Sequence, residues 1–283
     1  MKKRIMGIVI AFFCVLAGFV VIYIIEPEYA YMPSDDNVMN KHTDMKGYDK
    51  WGKHYSDKKS EKLLKTANGD QLSSFEGAVK VDDELLKVGK ETFYKETFGN
   101  EVFLTDIMGI LDGPLTAVNM MKAILQLKGE GTNNLQVELS EDFTVGDQTY
   151  KKGEKIDTGI DVARGTYAPL GMPVKWQNGK LKVGISCAAC HATVDRDNHK
   201  IIEGAPNDDL STGLVMALAT NSASYFTHAQ ISSLKDYIMD SERTVETTTG
   251  EKDILPDPEL LEAAVDEVLL KWPPGNFDST IDM

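Results

Sequence analysis

The chain has 283 residues, 42% of them hydrophobic and 26% charged, enough for one good-sized core or two small ones in an ordinary globular composition. Its charge is uneven, with 30 Lys and Arg against 44 Asp and Glu, a formal net charge of −14. Such a surface excludes nucleic acid as a partner, disfavours lying flat on anionic lipid, and either favours a basic or neutral partner or serves solubility alone.

Lys2-Lys3-Arg4 precede an unbroken apolar stretch of 21 residues, Ile5 to Ile25, which ends at Glu26. At 1.5 Å per residue a helix over this stretch is about 30 Å long, the thickness of a bilayer's hydrocarbon core. The basic flank puts the N-terminus inside and everything after Glu26 outside. No small-x-small cleavage site follows, and Cys14 comes after Phe12-Phe13 rather than the small residues of a lipoprotein signal. Residues 1–25 are therefore predicted to be an uncleaved signal anchor, a single transmembrane helix with the C-terminal part extracytoplasmic. Beyond it, 27 basic residues face 44 acidic ones, a balance of −17. Residues 26–60 are polar, with Pro27, Pro33 and the run Ser34-Asp35-Asp36-Asn37, and read as a tether. His42 and His54, within it, read as solvated surface residues.

The remainder, 61–283, is predicted to form the extracytoplasmic domain. Over 61–127 the pattern is helical, with Asp82 or Asp83 placed to cap a helix through Leu85, Leu86 and Phe93. Asp112-Gly113-Pro114 interrupts the apolar segment from Val102 to Leu127 and predicts two helices meeting at an angle. Met108, Met120 and Met121 read as core filling. Over 134–185 the character turns to strand: Leu135, Val137 and Leu139 alternate with polar residues, and Gly146-Asp147 and Lys152-Gly153 mark turns. Asn178-Gly179 then sits between alternating flanks, the strongest short-range hairpin signal. With these two as the turn, Gln177 faces Lys180, Val174 faces Val183 and Met172 faces Ile185. The hairpin so brings Leu170-Gly171-Met172 beside the segment that follows it.

That segment is Cys187-Ala188-Ala189-Cys190-His191, a Cys-x-x-Cys-His run preceded by Ser186 as a helix cap. It is the attachment signature of c-type haem. On one helical turn both thiols reach the two vinyl groups of one porphyrin, and His191 projects an imidazole toward the iron as proximal ligand. A thioredoxin-like pair calls for a cytosolic α/β pattern, and a zinc site for a second Cys or His pair at ligand spacing; neither occurs in the sequence. One covalently attached haem c is predicted. Attachment on the outer face of a bacterial membrane agrees with the N-terminal segment.

The haem-binding part, 186–283, is predicted to be helical. Asp195-Arg196-Asp197-Asn198 lacks the glycine and closing glutamate of a calcium loop and reads as a turn. Asp208 and Asp209 precede a helix through Leu210, Leu214, Met216 and Leu218, a short helix follows near Ile231–Met239, and Ser241–Asp253 reads as a Thr-rich loop. Leu260, Leu261, Ala264, Val265, Val268, Leu269 and Trp272 make an apolar stripe over Pro258–Trp272, with Asp257 at the N-cap and Pro273-Pro274 as the stop. The ending at Met283, with no element after Pro274, reads as an incomplete C-terminus. Met172, His199, Met216 and His228 are the sulfur and imidazole side chains available for the distal position, and Met172 and His228 are retained as its candidates. His199 is too near His191 along the chain, and Met216 lies on an apolar stripe.

The stretch from about Leu170 to Trp272 resembles a bacterial family on three motifs: Gly184-Ile185-Ser186-Cys187-Ala188-Ala189-Cys190-His191, Gly204-Ala205-Pro206-Asn207 and Trp272-Pro273-Pro274-Gly275. This is the di-haem cytochrome c peroxidase and rubber-oxygenase-like group, which includes membrane-anchored electron transport proteins of Gram-positive bacteria. The resemblance carries over Cys187, Cys190 and His191 alone. Family members have a second Cys-x-x-Cys-His, and this chain has none, so two-haem peroxidase chemistry is unsupported. The resemblance implies an N-terminal haem module whose C-terminal haem module is missing. The reading of fold is mainly α with a small β insert and hairpin, a cytochrome c-like haem domain behind a transmembrane helix. The reading of function is a mono-haem electron carrier facing a redox partner. The alternative is the peroxidase- or oxygenase-like module of a truncated di-haem enzyme.

Overall fold

The computed structural model describes residues 26–39, 45–66, 68–145, 148–226, 244–254 and 258–275. The predicted anchor 1–25, His42, the Gly146-Asp147 turn, His228, the helix near 231–239 and Asp257 lie outside the described residues.

In chain order the first elements are β1 (Glu28–Tyr29), β2 (Gly47–Lys50), β3 (Lys53–Ser56), α1 (Asp57–Leu64), β4 (Ala78–Val81) and α2 (Asp83–Lys95). A single helical turn, Asn100–Val102, runs into a π-helical stretch, Phe103–Ile107, followed by α3 (Ala117–Gln126). Then come β5 (Gln136–Glu138), β6 (Phe143–Val145), β7 (Gln148–Tyr150), β8 (Lys155–Asp157), β9 (Val174–Gln177) and β10 (Lys180–Val183). The last are α4 (Cys187–His191), β11 (Ala192–Val194), β12 (Ile201–Glu203), α5 (Thr212–Ala217), β13 (Thr244–Glu246), β14 (Lys252–Ile254) and α6 (Pro258–Leu269).

This architecture corrects the expectation of a mainly α, cytochrome c-like domain behind a transmembrane helix. It is mixed, with short antiparallel strands spread along the described chain: the sheets β1-β9-β10 and β3-β2-β4, and the pairs β5-β8, β6-β7, β11-β12 and β13-β14. No helix among the described residues is long and apolar enough to cross a membrane. The segment expected as a tether contributes three strands and part of α1, and the Thr-rich loop carries β13 and β14. The polar residues there hid the strands, because a two- or three-stranded ribbon with solvated faces shows no apolar alternation.

Where the pattern was strong, local chemistry explains the element. The side chain of Asp82 caps α2 by accepting from the Leu85 N–H at 3.1 Å. Asn178 and Gly179 take φ of 53° and 75°, the left-handed pair of a type I′ turn, and the register pairs Gln177 with Lys180 and Val174 with Val183. Beyond the paired residues, the Gly184 N–H donates to the Pro173 carbonyl and the Ser186 N–H to the Gly171 carbonyl, which continues the ladder to α4.

Three apolar clusters fill the interior. The first joins α3 to β5 and β8 through Leu115, Ile124, Leu135, Val137, Ile156 and Val162. In the second, Val265, Leu269 and Trp272 meet Met108, Ile110 and Met216. Each such aliphatic side chain contributes about 1.5–3 kcal/mol on full burial. Met108 is buried in this second cluster and Met120 packs on the first, while Met121 is exposed rather than core-filling. The third holds Tyr94 of α2 against Leu170, Ala188, Ala192, Val194 and Ile201. Lys182 is buried beside the second cluster and forms a salt bridge with Asp106.

Candidate functional site

Helix α4 is five residues long and sits between the first and third clusters. Its two alanines make this possible. Ala188 and Ala189 are 0% and 3% exposed, and Gly171 lies against them so closely that a Cβ on it would stand 2.0 Å from the Ala189 nitrogen. Gly171 also has φ of 67°, a left-handed conformation open to glycine at little cost. The alanine face is thus pressed inward, and the reactive side chains fall elsewhere. Cys187 and His191 are exposed, and Cys190 is half-buried against the first cluster. Both thiols are free.

A helix this short cannot satisfy its own terminal carbonyls. The loop 204–207 does so instead. The Gly204 N–H donates to the His191 carbonyl at 2.8 Å, the Asn207 N–H to Cys190 at 2.9 Å, and Asn207 Nδ2 to Ala189 at 3.2 Å. Asn207 is itself buried, and its Oδ1 has no hydrogen-bond partner among the described residues. At the other end Ser186 does not cap through its side chain; its Oγ donates to the Gly171 carbonyl at 3.2 Å. The expected capping role becomes a tie between the hairpin and α4.

Burial and, secondarily, the neighbouring Cys187 push the Cys190 thiol up to about 11, so it is held protonated near neutral pH. The imidazole of His191 makes no hydrogen bond among the described residues. One strand further, the Val194 N–H donates to Oδ2 of Asp161 at 2.8 Å. Burial pushes this carboxyl up to about 7 against that bond, and its Oδ1 has no hydrogen-bond partner among the described residues. Neither its role nor that of Asn207 follows from spacing: Asp161 lies between the apolar Ile160 and Val162, with no local signal of a polar task.

The sequence candidates for the distal position separate clearly. Met172 is half-buried and packs against the first cluster, as Cys190 does. His199 is turned away: its Nδ1 lies 2.7 Å from the Glu130 carbonyl. Met216 is 5% exposed inside the second cluster, a packing residue. His228 lies outside the described residues, and His54 is an exposed residue of β3. Asp195 forms an Asx turn, its Oδ1 accepting from Asp197 and Asn198, which joins β11 to β12. Among the described residues no group of three or more His, Cys, Asp or Glu side chains converges to hold a metal ion.

Two thiols one helical turn apart and an adjacent imidazole with no hydrogen bond among the described residues, on a helix whose alanines pack inward beside the half-buried Cys190, fit the donor set for a covalently attached haem. No family model matches the chain, and no curated protein or solved structure matches it significantly.

Proposed function

We propose that this protein is a mono-haem c-type electron carrier, with Cys187 and Cys190 as the thioether anchors and His191 as the proximal iron ligand. A haem bound there supplies a reversible one-electron iron couple. The chain's own residues set its surroundings. Cys190, held as the neutral thiol by burial, is the inner anchor, and the exposed Cys187 is the outer one. Asn207 and Gly204 hold the end of α4, which fixes where the imidazole stands. Met172, at the edge of the same apolar cluster as Cys190, remains a distal candidate together with His228. The observation that carries the reading is that the exposed Cys187 and His191 and the half-buried Cys190 share one turn of a helix anchored by Ala188 and Ala189.

The setting belongs to the proposal as well. Lys2-Lys3-Arg4 followed by the apolar Ile5–Ile25 support a place at the outer face of a bacterial membrane. The −14 charge supports a basic or neutral redox partner. The resemblance to a haem module of the di-haem family supports the same cofactor.

The test is the intact mass and visible spectrum of the full chain produced with a haem-attachment system. A mass increment of one porphyrin, sharp bands on reduction, and loss of the increment in Cys187→Ser with Cys190→Ser are expected. A mass with no porphyrin overturns the cofactor assignment. A high-spin iron that binds CO readily overturns the carrier assignment.

A further inference from the structure

The sheet β3-β2-β4 with α1 differs in charge from the rest of the molecule. Residues 45–81 hold eight lysines and five acids, a balance of +3 in a chain of −14. The register shows where the lysines go. Tyr48 pairs with Tyr55 and Lys80, and Lys50 with Lys53 and Ala78. Directly opposed residues share a face of a sheet. One face therefore carries Lys50, Lys53 and Lys80 around two tyrosines, and Lys59 of α1 joins it, its Nζ 5.1 Å from the Tyr55 ring centroid. Lys50 is matched by Glu76, whereas Lys53, Lys59 and Lys80 are exposed and make no ion pair among the described residues. At the end of this face the β2-β3 turn lifts Trp51 into solvent at 83% exposure, with its ring over Gly77, and Phe75, two residues before Gly77, is 95% exposed.

Lysines around tyrosines, ending in an exposed Trp and Phe, match the chemistry of a membrane interface. Aromatic rings settle at the headgroup level, and lysines meet acidic headgroups. The tip projects, so it suits a soft surface that it can enter. The acidic remainder is repelled by the same surface, which leaves one orientation. We infer that this unit docks on an anionic lipid surface through Trp51, Phe75 and the unpaired Lys53, Lys59 and Lys80. This goes beyond the proposed electron carriage and does not depend on haem.

Hydroxyl-radical footprinting of the full chain in vesicles tests it, with oxidation of Trp51 and Phe75 referred to Phe98, an 80% exposed residue outside the unit. Protection of Trp51 and Phe75 is expected in phosphatidylglycerol vesicles and not in pure phosphatidylcholine, and it should weaken with added salt. Each lysine near an anionic surface raises the docked-to-undocked ratio about fivefold, so the triple variant K53Q/K59Q/K80Q should lower it roughly a hundredfold. These lysines are exposed, so an unchanged melting temperature checks that the variant is folded. Equal protection in both lipids overturns the inference, as does no protection in either. Protection that grows with protein concentration in detergent alone also overturns it, in favour of contact between copies.

Discussion

Gly171 allows the most direct test of how α4 is held. Its replacement by alanine adds two separable costs. The first is backbone: at φ of 67° an L-residue with a Cβ loses about 1–2 kcal/mol relative to glycine. The second is contact: the new methyl would stand 2.0 Å from the Ala189 nitrogen and 2.5 Å from the Ala188 carbonyl carbon, both backbone atoms that cannot rotate away. Overpacking of this kind costs about 1–3 kcal/mol. Gly179, in the turn of the same hairpin, has φ of 75° and nothing within 4 Å of its would-be Cβ, so Gly179→Ala carries the backbone cost alone. We expect Gly179→Ala to destabilise by about 1–2 kcal/mol and Gly171→Ala by about 2–5 kcal/mol. Thermal unfolding of both variants reads the difference, at about 2–4 °C per kcal/mol for a domain of this size. Under the proposed function, the porphyrin attached per chain should fall in the Gly171 variant only. If the two variants melt together and load equally, the close approach of hairpin and α4 is refuted.

Three other outcomes are expected. Asp106→Ala leaves the buried Lys182 without its half-exposed partner and should cost about 1–3 kcal/mol in chemical denaturation, while Asp106→Ala with Lys182→Met should recover most of that loss; a double variant as unstable as the single would contradict this. Burial raises the carboxyls of Asp161 and Asp266 to about 7 in the folded protein, above their unfolded values. The folded state therefore binds more protons than the unfolded one between about pH 4 and 7, and stability must fall as pH rises through that window, by up to about 1.4 kcal/mol per pH unit for each group. Asp161→Asn and Asp266→Asn together should flatten this slope, and an unchanged slope would count against their burial. Asn207→Ala removes the donor to the Ala189 carbonyl and should cost about 1–3 kcal/mol, with faster exchange of the amides of α4 as the readout.

The legible parts of the fold were those where one short stretch holds the whole signal. Asn178-Gly179 specifies its turn, and Asp82 specifies the start of α2 through an atom three residues away. The Cys-x-x-Cys-His spacing likewise put three side chains on one turn of helix without knowledge of anything else. What stayed hidden depends on distant partners. The two residues of β1 are strand only because Val174 and Lys175 are there to bond them. Trp51-Gly52 makes a left-handed turn at φ of 53° and 79° without the Asn-Gly signal, and its flanking lysines and tyrosines resemble a solvated linker. Asn207 reads as part of a Pro-containing turn until the three carbonyls that it and Gly204 serve are seen beside it.

The pairing of Glu28–Tyr29 with Val174–Lys175 joins the first described residues of the chain to a hairpin nearly 150 positions later. A ribosome delivers the first of these partners long before the second. Until then the early strand waits with open backbone groups, and closing so long a loop is slow. The edge of β9 and the Trp176 N–H, which donates to the Pro27 carbonyl, are both completed only by this long-range pairing. The haem proposed for α4, attached before that pairing, would meet a chain in which β1 and β9 are still apart.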